Sequence, residues 1–338
     1  MTDPITDYAR LGLVHHMLYP DCDEHPAEHV ATLKALANRP DIETFDCCLP
    51  YGPGARAELI PALRDCGKVD VTFATHFLPL RKLSPCNPNP TTRAQIWMLV
   101  DDMIECAAAI GATGFIFASG GPSPDEAAPA HHEALAGFCR RLCADLKPHG
   151  ITALLEPFDT TIDKKFLYGP TSECVALIKS LKPEVDNFGI ELDVAHLPLM
   201  GETFEHAIRA AAPHLKRVHL GNCVLKDKIH PRWGDTHPPA GFPGGEIDVP
   251  EMTERVDRAH LSSAHPEQSE QLAAHLFAAE QVEAVLEDPA EAVVILGRSQ
   301  EDAVRRLHAL LELEGRGMIG GVAGALAQRQ VQCREVHE

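Results

Sequence analysis

The sequence predicts a (β/α)8 TIM barrel, and three observations carry that prediction. Short apolar runs alternate with longer amphipathic stretches, the pattern of strands and crossover helices in a parallel sheet. Several of the runs are almost continuously apolar, as strands covered on both faces are. No G-x-G-x-x-G turn follows any of them, which disfavours an open dinucleotide-binding sheet.

Taken in order, strands are expected at residues 10–14, 43–48, 70–75, 114–118, 152–155, 188–192, 217–220 and 292–296. Helices are expected at 26–37, 91–110, 124–147, 171–180, 202–212 and 250–259. The helix at 91–110 takes Thr91 or Thr92 as its N-cap and stops at Gly111. The one at 124–147 opens on Asp125 and Glu126, ends basic, and is closed by Pro148 and Gly150. The helix at 171–180 runs to the turn at Pro183, and the one at 202–212 ends before Pro213.

Two stretches break the rhythm. Residues 222–248 lack periodicity and are rich in Gly, Pro and His, and a structureless loop of that length is usually functional. Beyond about residue 258 the pattern changes again: 260–286 reads as polar and helical, and 315–330 is rich in Gly and Ala. The expected organisation is one barrel domain over 1–314, with an atypical last βα unit from about 258, followed by a tail at 315–338.

Composition narrows the function. A formal net charge of -19 argues against a nucleic acid as the main partner, because polyanion binding draws on Lys and Arg. No run of about 18 apolar residues is present, so no membrane span is expected. The first residues open with acids rather than a basic segment, unlike a signal peptide. Eleven Cys without a C-x-x-C pair fit reduced thiols in a cytoplasm.

The chemistry concentrates where strands end. ITALLEPF, GIELDVAHLPL and LKRVHLGN are apolar runs that finish on Glu156, Asp193 and His219. His196 follows Asp193 by three residues, and Asp235 and His237 lie in the long loop. Carboxylate and imidazole together suit a divalent metal such as Mn, Zn, Fe, Co or Mg, with Mn or Zn favoured. The carboxyl ends of barrel strands are where such enzymes place their sites. Each residue also has a plainer reading: Glu156 as a structural ion pair, Asp193 as the cap of the next helix, His219 as a satisfied core histidine. His76, at the end of the third strand, faces the mouth or caps its strand; of His15 and His16, one can point inward. Lys226, Lys228 and Arg232 follow in the loop, where they could hold an anionic or hydroxyl-rich substrate.

With these residues in hand, the chain resembles the xylose-isomerase-like barrel superfamily, which includes sugar (phosphate) isomerases and epimerases, ketose 3-epimerases, inosose dehydratases and apurinic-site endonucleases. The likeness covers about residues 10–257, and its most specific pieces are LLEPF, the D-x-x-H of LDVAH, KRVHLGN and GDTHPPAGFPGGEID. By that resemblance Glu156, Asp193 and His219 are metal ligands, with Glu156 also an acid/base. His196 then touches substrate, metal-bound water or a second metal. Asp235 and His237 match the D-x-H that holds additional zinc in the endonuclease branch; with His76 and Glu246 they are candidates for a second metal or for substrate.

One departure stands out. The family expects a further Glu at the end of strand eight, acting as the opposing acid/base, whereas here the segment reads AVVILGRSQEDAV and the next acid is Glu301. Glu246, in PGGEID, lies near the mouth but in another segment. Three sure ligands and an open position are the usual arrangement for catalytic zinc.

The resemblance implies a metal-dependent isomerase or epimerase of a small keto-sugar or polyol, acting through a stabilised enediolate. Three alternatives stay open. β-Elimination would share the first step and make a lyase or dehydratase. Phosphodiester hydrolysis of the endonuclease type is disfavoured by the acidic charge and by Ser119, where that branch has a His. A non-catalytic barrel, retained as a binding or complex subunit, is the third. Barrels often pair, so a homo-oligomer stays open under any of these readings.

Overall fold

The computed structural model describes residues 10–19, 25–40, 42–49, 53–73, 78, 82–238, 242–247 and 293–296. Eight parallel strands close into a barrel in chain order: β1 (Arg10–Val14), β2 (Thr44–Cys47), β3 (Val69–Phe73), β4 (Gly114–Phe117), β5 (Thr152–Leu155), β6 (Phe188–Asp193), β7 (Leu215–Leu220) and β8 (Val293–Leu296). The seam joins β8 to both neighbours, with Arg10 opposite Val293 and Leu220 opposite Leu296. β8 is the one described segment of the last βα unit. The helix expected at 250–259, the boundary at residue 314 and the tail at 315–338 lie outside the described residues.

Helices lie between the strands: α1 (His15–Leu18), α2 (Pro26–Ala37), α3 (Pro53–Cys66), α4 (Pro90–Ile110), α5 (Pro129–Leu146), α6 (Thr171–Leu181), α7 (His196–Met200) and α8 (Phe204–Ala211). The core joins them to the barrel wall. Phe117 and Phe138 stack through tilted rings 5.4 Å apart, and Leu33, Leu63, Leu135 and Ile208 are fully buried. Burial of this kind contributes roughly 25 cal/mol per Å² of apolar surface.

Local chemistry explains where the elements begin and end, and it corrects two expectations. α4 is capped by Asn89, not by Thr91 or Thr92: the Asn89 side chain accepts from the backbone N–H of both threonines, and Pro90 takes the first helical position. Asp125 and Glu126 do not open α5. They form a separate 3-10 turn, and α5 starts at Pro129, whose fixed φ suits a first helical position. Gly111 stops α4 in the left-handed region at φ 76°, as the pattern predicts. α3 and α7 come from stretches without a predicted helix: α3 carries Pro61 within it, and α7 is a single short turn.

The first strand runs directly into α1, so His15 and His16 are helical rather than strand residues. His15 turns to Thr32 of α2 at 2.8 Å and stacks on His29. Among the described residues no helix is long and apolar enough to cross a membrane, and no cysteine forms a disulfide.

Candidate metal and acid–histidine site

The site lies at the carboxyl ends of β5, β6 and β7. Strand geometry decides which side chains enter it, because alternate residues share a face. In β6, Asp193 and Glu191 are two apart; in β7, His219 and Arg217 are two apart. The register aligns both pairs, Asp193 opposite His219 and Glu191 opposite Arg217. The four side chains are buried, and Asp46 of β2 joins them at zero exposure. Glu156 follows β5 directly and is also buried; its backbone N–H donates to the Phe117 carbonyl at 2.9 Å.

The residues form two groups. The deeper one is Glu156, Glu191 and His219, with one ligand atom from each lying within 4.8 Å of the others. Asp46 anchors it: Asp46 Oδ2 is 2.8 Å from His219 Nε2, and Oδ1 is 2.9 Å from Arg217 Nη1. The other ring nitrogen, Nδ1, is 3.2 Å from Glu191 Oε1 and 4.0 Å from Asp193 Oδ2.

The outer group is Asp193, His196 and His237, again within 4.8 Å. His196 Nδ1 bonds the Pro157 carbonyl at 2.9 Å, and Nε2 lies 3.4 Å from Asp235 Oδ2. His237 Nε2 is 2.8 Å from Asp235 Oδ1, and its Nδ1 is 3.7 Å from Asp193 Oδ2. Asp235 in turn pairs with Lys164 at 3.1 Å, and its N–H donates to Asp163 Oδ2 at 2.8 Å. His237 holds a left-handed backbone at φ 46°, a conformation that costs a non-glycine residue about 1 kcal/mol and is found where a site demands it. Gly221, just past β7, lets this loop close in: a Cβ there would stand 2.8 Å from His237 Nδ1 and 2.9 Å from Asp193 Oδ1.

Burial dominates the electrostatics. It pushes the Glu156 carboxyl up to about 8, with Asp193 and Asp235 adding to the rise and His196 opposing it. Burial and the carboxylates of Glu156, Asp193 and Asp46 hold Glu191 well above the carboxylate range. For His196, burial works against the charged form, but Asp235, Asp193 and Glu156 outweigh it and raise the imidazole to about 10. His237 is raised in the same way, chiefly by Asp235. Asp235 is held well below the carboxylate range: its burial opposes this, and the two histidines prevail.

The donor set fits a divalent cation. Glu156 Oε2 and both Glu191 oxygens are buried without a hydrogen-bond donor, and burial favours a proton or a cation on such groups. Carboxylate oxygens and imidazole nitrogens are the ligands that Zn, Mn and related ions take.

The structure thus brings Glu156, Asp193, His219, His196, Asp235 and His237 to one mouth. Asp193 also keeps part of the plainer reading, since Oδ1 accepts from Ala195 N at 2.7 Å while Oδ2 faces the histidines. Glu246 is not drawn in. Its Oε1 accepts from the N–H groups of Leu225 and Lys226, and Oε2 lies 3.4 Å from Lys226 Nζ, so it braces the loop. Lys226 is largely exposed in that pair, and the Arg232 guanidinium lies 5.8 Å from the Phe242 ring centroid. His76 lies outside the described residues. Sequence reasoning missed Glu191, Asp46 and Arg217. The signal was present for two of them: once Asp193 and His219 point inward, Glu191 and Arg217 must share their faces.

Comparison with known proteins places the chain. Residues 37–264 match the model of the xylose isomerase-like TIM barrel family. A solved D-tagatose 3-epimerase-like protein is similar in fold, with 16% identity, a TM-score of 0.58, and coverage of 90% of this chain and 96% of that one. A D-psicose 3-epimerase from Clostridium cellulolyticum H10, solved with D-tagatose, gives 12% identity, 0.56, and 90% and 97%. A family 2 AP endonuclease from Brucella melitensis gives 14% identity, 0.57, and 90% and 98%. No curated protein matches the sequence.

Proposed function

The chain belongs to the xylose isomerase-like TIM barrel family, and on that premise we propose that it is a metal-dependent isomerase or epimerase of a small keto-sugar or polyol. The observation that carries this reading is the deep group, in which buried carboxylates without donors surround one face of His219. Similar folds solved as ketose 3-epimerases support the substrate class.

In this reading Glu156, Asp193 and His219 hold the cation. When bound, a divalent ion there supplies positive charge to neighbouring carbonyl and hydroxyl oxygens, which eases loss of a proton from the adjoining carbon. Glu156 takes that proton, the acid/base role that the family resemblance implies for it. His196 is fixed by its Nδ1 contact with the Pro157 carbonyl and turns Nε2 to the mouth, where it donates to a substrate oxygen. Lys226 and Arg232, on the rim, meet hydroxyls or a phosphate. That no cysteine among the described residues forms a disulfide supports a cytoplasmic setting.

The test is a panel of ketoses and ketose phosphates incubated in D2O with Mn- or Zn-loaded protein. Deuterium at the carbon beside the carbonyl, in recovered substrate or its isomer, is expected. Turnover of a confirmed substrate without it rejects proton transfer, and a product lacking water points to elimination. The outer group favours one second reading, phosphodiester hydrolysis with further metals at Asp193, His196 and His237. Cleavage of an abasic duplex by purified protein would bring that reading forward.

A further inference from the structure

We propose that Glu191 is a ligand of the metal centre and takes the place of the strand-eight acid this chain lacks. The inference rests on the metal-dependent reading above. β8 ends at Leu296, and the next four residues in the sequence are Gly297, Arg298, Ser299 and Gln300, none of them an acid. β6 instead carries a second carboxylate on its inward face, two residues below Asp193.

Three features of Glu191 point to a cation. Its side chain is fully buried, and neither oxygen accepts a hydrogen bond. Arg217, opposite in register, pairs with Asp46 at 2.9 Å; its charge favours the Glu191 carboxylate, but burial and three neighbouring carboxylates outweigh it. The third feature is the contact with His219. Asp46 accepts from Nε2 at 2.8 Å, which leaves Nδ1 as the ring's lone-pair nitrogen, 3.2 Å from Glu191 Oε1 with no hydrogen bond between them. A lone pair opposed to a carboxylate oxygen is repulsive unless positive charge lies between them. Two ligand atoms sharing one ion at about 2.0–2.2 Å stand about 2.8–3.6 Å apart for tetrahedral or cis-octahedral angles. The observed 3.2 Å falls in that interval, and Glu156 lies within 4.8 Å of both.

The alternative is a proton in place of the ion, with an imidazolium held between two carboxylates. Glu191→Gln separates the two, because it keeps the shape and removes the charge. Wild type, Glu191→Gln and Glu156→Gln would be titrated with Mn2+ and with Zn2+ against a chelator of known affinity, and unfolding of the chelator-treated proteins would be followed. Both variants are expected to lose about tenfold or more in metal affinity. Chelator-treated Glu191→Gln should be at least as stable as treated wild type, since an amide replaces a carboxyl whose ionisation burial opposes. Unchanged affinity in Glu191→Gln, with wild type binding normally, overturns the role of Glu191 and leaves the metal centre standing. No metal bound by wild type overturns both. If Glu191→Gln does not fold, Glu191→Asp serves instead: one methylene shorter, it should weaken binding and alter the visible spectrum of the Co2+-loaded protein, and an unaltered spectrum and affinity would overturn the role.

Discussion

The deep group of Glu156, Glu191 and His219 and the outer group of Asp193, His196 and His237 share one barrel end but hold their charge differently. The deep group stands on strands and at a strand end, and its carboxylate oxygens outnumber their donors. The outer group is joined to the loop through Asp235, which sits between two histidines and a lysine. Asp235 has three cationic or ionisable neighbours at 2.8–3.4 Å, whereas neither Glu191 oxygen has a hydrogen-bond donor. The contrast teaches that acids and histidines at one mouth need not share one role: the deep carboxylates lack donors, the outer histidines face an aspartate, and Asp193 stands between the two groups.

The largest way to break the comparison is His219→Ala. It should remove the high-affinity metal and with it all turnover, a loss of about a hundredfold or more in affinity; elemental analysis of protein purified without chelator reads it. Retained metal would mean that the outer group is the true centre. A smaller loss, about 10–100-fold in affinity, is expected of Asp46→Asn, which leaves His219 in place but alters the bond that orients its ring. Calorimetric titration measures it, and rescue by Asp46→Glu would show that the carboxylate matters rather than the packing.

Acidity sharpens the comparison further. Burial raises the Glu156 carboxyl from 4.5 to about 8, so its contribution to folding falls as the pH climbs through that interval. His196, raised from 6.5 to about 10, stabilises the fold fully below 6.5 and loses that contribution as the pH approaches 10. Both act in one direction, so the melting temperature of chelated protein should drop between about pH 6 and pH 9. Added Mn or Zn should restore it most at the alkaline end. A melting temperature that is flat or rising with pH would show that these groups are not strained by burial. The smallest effect belongs to Asp235→Asn. It should leave the first equivalent of metal within about threefold of wild type, because a balanced loop group adds little to a strand-held centre. Loss of the first equivalent in this variant would merge the two groups into one.

Much of this was legible from the residues alone. β1, β5 and α2 were predicted to the residue, because apolar runs and helix punctuation are local signals. Glu156, Asp193 and His219 were visible because each ends an apolar run. Glu191 was passed over because it lies inside one, where GIEL reads as core, and Asp46 sits likewise in TFDC. Alternation puts Glu191 on the face of Asp193, but only pairing between strands shows what it meets there. Asn89 was missed because two threonines beside it are also good caps, and the choice among them depends on Pro90. The role of Glu246 depends on how the loop folds back, with Asn222 accepting from Ile247 N at 2.9 Å, a contact no local pattern announces.

The seam between β1 and β8 has a consequence for the life of the chain. Arg10 and Val293 stand side by side, although almost the whole polypeptide lies between them. A nascent or clipped chain that ends before residue 293 lacks the strand that covers both β1 and β7. Each would then present a row of open backbone donors and acceptors, a template for pairing with another copy. Closure across so many residues is a late event in folding, since long-range strand pairing is slow. Production of this protein therefore depends on its distal segment: truncation there is expected to yield aggregates rather than a smaller working barrel.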